Sequence, residues 1–174
     1  MNKNTRNMVL SAMFIALGVT LPQAFHAVPN AGSVFLPMHI PVLICGYIVG
    51  PVYGLIVGLL TPLLSSLLFG MPPAAMLPSM LFELGVYGLT SGLFTRIIKI
   101  PNKVVKVYVV LILSMLCGRV TYGVLNALIF RAGNYSLQAW LSAAFITALP
   151  GIIIQLIVVP AIILALDKAK LIEL

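Results

Sequence analysis

Two ionisable side chains, Glu83 and Arg119, lie inside long apolar stretches of this sequence. A charged group at the centre of a bilayer is costly, so such residues normally pair with each other or face an aqueous cavity. At a rise of ~1.5 Å per residue, Glu83 would lie ~10 Å and Arg119 ~18 Å from the outer ends of their helices, an offset that an arginine can span. Two interpretations stay open: an ion pair that only ties two helices together, and a polar cavity that binds a ligand.

Polar and aromatic residues at helical spacing favour the cavity. Residues three, four and seven apart share one helix face. Tyr87 is therefore expected beside Glu83, and Tyr122 and Asn126 beside Arg119. An apolar cleft with a few convergent polar groups is typical of a small-molecule site.

Two more polar residues complete this set. Gln155 lies in the last apolar stretch, and His39 lies between Pro37 and Pro41 after a long polar loop. A proline-braced imidazole is either a gate or ligand contact, or a histidine capped by backbone at the start of a helix. The predicted substrate-binding residues are His39, Glu83, Tyr87, Arg119, Tyr122, Asn126 and Gln155.

The motifs of several enzyme classes are missing from the sequence. It has no phosphate-binding loop and no cluster with metal-ligand spacing, and only three acidic residues, two of them near the C-terminus. Cys45 and Cys117 lie in apolar runs and are expected to be packing residues. We therefore expect no enzyme, no metal and no cofactor.

The composition requires a lipid environment for the elements that position these residues. Only 7% of the residues are charged, against roughly 25% in soluble domains. Since a spanning helix needs about 20 apolar residues, the chain is predicted to be one all-α domain, 1–174, with six transmembrane helices. Glycines and prolines divide it into segments 6–23, 38–49, 53–69, 74–98, 104–130 and 139–166.

The basic residues predict the orientation of this bundle. All ten except Arg119 and Arg131 lie at the N-terminus, between 96 and 106, or at 168–170. If the turn at Gly50-Pro51 separates two helices, these three groups lie on one side, as the positive-inside rule expects of cytoplasmic segments. One long kinked helix would break the rule. Both termini are therefore predicted to be cytoplasmic, and no nucleic-acid partner is expected, because no basic helix with interleaved aromatic residues is present.

Small residues recur at a spacing of four. Gly46, Gly50, Gly54 and Gly58 repeat at four. The series crosses the turn at Pro51 and counts only within each helix, where this spacing lets membrane helices approach closely, usually for internal packing. Ala12 and Ala16 share this spacing in the first segment, which is expected to be retained because no clear signal-peptide cleavage site follows it. If the two alanines face outward, they form a docking surface for a partner.

These features together resemble one family of membrane proteins. The chain is similar to the substrate-binding S components of energy-coupling factor (ECF) transporters. The resemblance rests on six predicted helices with Ala-x-x-x-Ala in the first, a long outer loop over 23–37, the run from Phe35 to Pro41, and Gly70-Met71-Pro72-Pro73 before Glu83. The resemblance covers essentially the whole chain.

The resemblance implies a division of labour in the bacterial plasma membrane. An S component binds a vitamin or related micronutrient from outside, while a coupling subunit and two ATPase subunits supply the energy. Ala12 and Ala16 would then dock the coupling subunit. A carboxylate or phosphate of the substrate could bind Arg119 and Arg131, and a ring could stack on Tyr87, Tyr122 and Trp140. Such a substrate could be a pyridoxine-like or pyrimidine compound, a pterin or a corrinoid. The alternative is a structural or assembly protein in which the Glu83–Arg119 pair only stabilises the bundle.

Overall fold

The fold is built from helices throughout the described part of the chain. The computed structural model describes residues 2–25, 31–130 and 135–172, and no strand occurs in these ranges. Three irregular turns extend the helices: a 3₁₀ turn at Leu21–Phe25 and π-helical turns at Asn126–Phe130 and Ser142–Thr147. The helices are α1 Lys3–Thr20, α2 Ala31–Phe35, α3 His39–Val49, α4 Pro51–Phe69, α5 Leu77–Ile97, α6 Lys103–Leu125, α7 Leu137–Leu141 and α8 Leu149–Lys168.

Most of these helices are suited to a membrane. The five stretches that are long and apolar enough to cross a bilayer are Lys3–Ala24, Gly32–Val49, Pro51–Phe69, Lys103–Phe130 and Leu149–Lys168. α5 is not among them, since its 21 residues include Glu83, Arg96 and several hydroxyl side chains. The prediction of an all-helical, multi-pass membrane protein is confirmed.

The turn between α3 and α4 follows from Gly50-Pro51. Gly50 has φ +111°, a backbone conformation that residues with a side chain rarely adopt. Pro51 then opens α4, where its missing N–H removes no helical hydrogen bond. α3 and α4 are therefore separate helices, but α3 has only 11 residues, and its apolar stretch reaches 18 residues only when it begins at Gly32.

Two predicted segments differ from the structure. The prediction of a loop over 23–37 is wrong at Ala31–Phe35, where α2 forms and packs against α8. The prediction of one helix over 139–166 is wrong at Ala148, between the π-helical turn and α8. Pro150 explains the second difference, because a proline inside a continuous helix removes a hydrogen bond and clashes with the preceding turn.

α5 lies at the centre of the bundle and packs against α3, α4 and α6. Glycines allow its backbone to approach those of α3 and α4. A methyl group at Gly54 would collide with the carbonyl of Gly88, and one at Gly58 would collide with the carbonyl of Leu84. We call this contact the glycine seam. It shows that the repeated glycines serve internal packing.

α1 covers the bundle with one face and exposes the other. Ser11, Phe14 and Gly18 are buried, and α1 packs against α3 and α4. Ala12 and Ala16 are exposed on the opposite side.

Candidate ligand-binding site

Four of the predicted site residues form one cluster in the interior of the bundle. His39 opens α3, Glu83 and Tyr87 lie one turn apart on α5, and Arg119 lies on α6. Their exposed fractions are 1%, 3%, 0% and 6%, so all four are buried although each carries a polar or charged group. We call these residues the polar cluster.

The Glu83 carboxylate holds the polar cluster together. Its Oε1 lies 3.0 Å from Nη1 of Arg119 and accepts a hydrogen bond of 3.2 Å from the Tyr87 hydroxyl. Nε2 of His39 lies 3.9 Å from the same oxygen, which is too far for a hydrogen bond. The His39 ring meets the Tyr87 ring edge-on, with 5.2 Å between their centroids.

Local backbone features position these side chains. Leu36 has a left-handed φ of 52°, and its carbonyl accepts a 3.1 Å hydrogen bond from the His39 N–H, so the chain turns sharply into α3. Glu83 and Tyr87 share a face of α5 because they are four residues apart. Gly118, beside Arg119, has no side chain, and a methyl group there would collide with the Tyr87 ring. This glycine therefore makes room for the ring between α5 and α6.

Several polar atoms of the buried site lack a hydrogen-bond partner in the described part of the chain. Among the described residues, neither Nε nor Nη2 of Arg119 makes a hydrogen bond, and neither ring nitrogen of His39 does. A buried polar group without a hydrogen bond costs about 1–3 kcal/mol. Nε and Nη2 form the side edge of the guanidinium, a pair of parallel donors that suits a carboxylate or a carbonyl group. Arg119 therefore uses one nitrogen for Glu83 and keeps this edge available.

Gln155 of α8 has the same property. Its side chain is wholly buried, and both its amide oxygen and its amide nitrogen lack a hydrogen-bond partner. α8 packs against α2, α3 and α6, which include two of the helices that carry the polar cluster. Its side chain is joined to the polar cluster by neither a hydrogen bond nor an ion pair.

Asn126 and Tyr122 lie farther along α6 and have a different environment. The Asn126 amide accepts a 3.0 Å hydrogen bond from the Ser79 hydroxyl and donates one of 2.8 Å to the Tyr122 carbonyl. Asn126 is thus fully engaged between α5 and α6, while the Tyr122 side chain is half-buried. The Asn126 amide is therefore bonded to Ser79 and Tyr122 rather than to the polar cluster.

Sequence reasoning missed three buried hydroxyl residues. Ser79 is bonded to Asn126, and Thr61 and Ser65 of α4 are wholly buried with hydroxyl groups that lack a partner among the described residues. Helical spacing could have identified each of them. Ser79 lies four residues before Glu83, and Thr61 and Ser65 lie four apart on one face of α4.

Trp140 packs on α6 near the polar cluster. Its indole N–H donates a 3.0 Å hydrogen bond to the Arg119 carbonyl, and its ring occupies the space that a side chain at Gly123 would need. A cavity of about 270 Å³ lies beside it, lined partly by Tyr135 and by the exposed flank of α6 at Val120 and Val124. This cavity does not include the polar cluster, and Arg131, His26 and Asn30 lie outside the described residues.

The described residues contain buried polar groups but no cluster of metal ligands. No group of three potential metal ligands occurs in the ranges 2–25, 31–130 and 135–172. The polar cluster holds an ion pair, an imidazole and unengaged donors inside an apolar bundle. These features define a membrane-embedded helical protein with a buried polar cluster.

The comparisons with known proteins identify the family. The family model of the ECF transporter substrate-specific component matches residues 6–163, and the chain belongs to that family. The resemblance seen in the sequence is thereby confirmed, and the protein is a substrate-specific subunit of an ECF importer. This family is a transporter component rather than an enzyme family. Searches of curated proteins and of solved structures gave no match to the chain.

Proposed function

We propose that this protein is the high-affinity binding subunit of a bacterial vitamin importer. It captures a water-soluble vitamin or related micronutrient from outside and delivers it inward with a separate coupling subunit and two ATPase subunits. The observation that carries the proposal is the guanidinium of Arg119, which is buried and paired with Glu83 through Nη1 while Nε and Nη2 stay unengaged.

The charge of the polar cluster narrows the chemistry of the ligand. Glu83 offsets the charge of Arg119, so the cluster offers hydrogen-bond donors rather than a full unpaired positive charge. A carboxylate or carbonyl group of the ligand can take both donors of the free guanidinium edge. Candidate ligands are ring compounds with such a group, including pyridoxine-like and pyrimidine compounds, pterins and corrinoids.

The proposed topology has six spans with both termini in the cytoplasm of the cell membrane. α5 supplies the sixth span, because its 21 residues are about 31 Å long and match a hydrocarbon core of about 30 Å. Two contacts support the proposal that the basic residues lie at the same end of the bundle. Lys103 at the start of α6 bonds Asp167 at the end of α8, and Lys3 and Arg96 line one cavity.

The test of binding uses an arginine variant that retains its charge. Arg119→Lys keeps a cation for Glu83 but removes the paired donors, so the fold should survive while ligand affinity falls about 10- to 100-fold. The wild-type protein is purified in mild detergent, and the retained small molecule is identified by mass spectrometry. Arg6→Lys, the same exchange at an exposed position, is the matched control and should retain the ligand.

Three results would count against this function. A wild-type protein that retains no ligand, and binds none from a panel of vitamins, would favour the structural or assembly alternative. An Arg119→Lys variant with unchanged ligand affinity would show that the Arg119 donors do not bind the ligand. Gln155→Leu gives the independent check. Since the Gln155 amide makes no hydrogen bond to the described residues, the variant should stay stable and lose ligand. Unchanged binding would exclude Gln155 from the site.

The proposed docking surface on α1 has its own test. Ala12 and Ala16 are exposed at small-xxx-small spacing, which allows another membrane helix to approach closely. Ala12→Trp should leave ligand binding intact and abolish uptake by the assembled transporter. Leu17→Trp is the control, because Leu17 is also exposed but lies about 100° around the helix from Ala16. Equal loss of uptake in both variants would contradict a surface centred on the alanines.

A further inference from the structure

A basic cavity lies at one end of the bundle, far along the helices from the polar cluster. Its volume is about 400 Å³, and it is formed where α1 begins and where α3 and α5 end. Three basic residues and two apolar residues contribute to its walls. The lining residues are Lys3, Arg6, Asn7, Ile48, Val49 and Arg96.

The cations of this cavity are not neutralised by the described part of the protein. Glu83 is paired with Arg119 and Asp167 with Lys103, and these are the two acidic residues that the structure describes. Lys3, Arg6 and Arg96 are all exposed, and none forms an ion pair with either carboxylate. The cavity therefore concentrates three positive charges beside an open surface.

One of these cations lies against the backbone. A methyl group at Gly50 would collide with the Arg96 guanidinium, so this group lies directly over the turn between α3 and α4. Lys3, Arg6 and Asn7 share one face of α1 because they are three and four residues apart. Two elements thus direct basic side chains into the same space.

The position of the cavity indicates what kind of anion reaches it. Two spans, Lys3–Ala24 and Gly32–Val49, have their ends in its walls, which places the cavity at the level of lipid headgroups. Val49 is buried and Ile48 half-buried in the same wall, so apolar surface adjoins the cations. Basic pockets between helix ends are suited to anionic headgroups.

We propose that this cavity binds the phosphate of an anionic phospholipid. A soluble phosphate ester carries the same phosphate group. The apolar wall of the cavity and its position at the headgroup level favour the lipid. The site is separate from the polar cluster and requires neither the vitamin ligand nor the coupling subunit.

Native mass spectrometry of the full chain tests this proposal. Protein in mild detergent is titrated with phosphatidylglycerol, with phosphatidylethanolamine of the same acyl chains, and with glycerol 3-phosphate. Phosphatidylglycerol should bind at least tenfold more tightly than the other two. Each cation near a membrane surface contributes about a fivefold change in affinity, so Arg96→Gln should weaken this binding about fivefold and the triple variant Lys3→Gln/Arg6→Gln/Arg96→Gln on the order of 100-fold.

A matched variant removes the same charge elsewhere. Lys99→Gln/Lys106→Gln/Lys170→Gln takes three cations from sequence positions outside this cavity and should keep phosphatidylglycerol binding. If the cavity triple variant does not fold, the single pair Arg96→Gln and Lys99→Gln makes the same comparison with less loss of charge.

Each other outcome overturns the proposal. Equal binding of the two lipids, or equal loss in cavity and control variants, would mean that the cations act only through general charge. Tighter binding of glycerol 3-phosphate would assign the cavity to a soluble phosphate ester. Unchanged lipid binding with lost capture of the coupling subunit in the cavity variant would assign it to an acidic protein segment.

Discussion

The central helix α5 meets its neighbours through two contrasting faces. Toward α4 it presents glycine, and the backbone at Gly88 lies directly against that at Gly54. Toward α6 it presents Glu83, whose carboxylate lies 3.0 Å from Arg119. One face is specified by shape and the other by charge.

The difference separates close backbone packing from the face that carries the proposed binding site. In a membrane, close packing of small residues drives helix association, because lipid tails are as apolar as the side chains. The glycine seam therefore joins backbone to backbone and leaves no space for a ligand. The face toward α6 is where buried donors stay unengaged, as at Nε and Nη2 of Arg119.

The largest effect is expected from breaking the charged face. Arg119→Met leaves the Glu83 carboxylate buried without its cation, and such a loss lowers the free energy of unfolding by about 3–5 kcal/mol. Glu83→Gln leaves the opposite charge and should have a similar effect. Titration with a denaturing detergent in mixed micelles measures the change.

The double variant shows whether the two charges act as a pair. Arg119→Met/Glu83→Gln removes both buried charges and should be more stable than Arg119→Met alone, since neither ion is left uncompensated. A double variant that loses the sum of the two single losses would mean that the residues act independently, and the charged face would then not be the contact that joins α5 to α6.

An intermediate effect is expected from the glycine seam. In Gly88→Ala the new methyl group meets the Gly54 backbone, which cannot rotate away, so the free energy of unfolding should fall by about 1–3 kcal/mol. Gly85→Ala is the matched control on the same helix. Its methyl group would meet the ends of the Leu55 and Leu59 side chains at 3.1–3.3 Å, which can move aside.

The test compares the change in the free energy of unfolding between Gly88→Ala and Gly85→Ala. Alanine is the better helix former by about 1 kcal/mol, so Gly85→Ala should be close to neutral or slightly stabilising. Equal losses at both positions would show that the seam tolerates no added volume on either side. Equal stability of both variants would mean that α4 and α5 can separate, and the glycine seam would not be rigid.

Much of the fold could be predicted from apolar run lengths and from glycine and proline. The predicted segments 53–69 and 74–98 agree within three residues with Pro51–Phe69 and Leu77–Ile97. The short helix α2 could not be predicted, because Gly32 and Ser33 favour a loop locally and the contact that holds α2 is distant in sequence. A side chain at Gly151 of α8 would meet the Val34 carbonyl at 2.7 Å.

The candidate site could be predicted at the positions where a charged residue interrupts an apolar segment. Glu83 and Arg119 stand out as charges in apolar segments, and Tyr87 follows from helical spacing. The position of His39 depends on the left-handed turn at Leu36, which no local pattern indicates. Helical spacing alone predicts Asn126 beside Arg119, whereas its bond to Ser79 cannot be predicted because a serine in a membrane helix is an ordinary residue.

The smallest effect is expected at that bond, which lies on the face of α5 that meets α6. Ser79→Ala removes the donor to Asn126 Oδ1, and bonds of this kind between membrane helices average about 0.6 kcal/mol. Thr90→Val is the control, because the Thr90 hydroxyl donates only within α5, to the Val86 carbonyl at 2.6 Å. Ser79→Ala should therefore lose more stability than Thr90→Val and keep ligand affinity. If Ser79→Ala instead keeps its stability and loses ligand, Asn126 is a binding residue, and the polar side of α5 extends a full turn beyond the polar cluster.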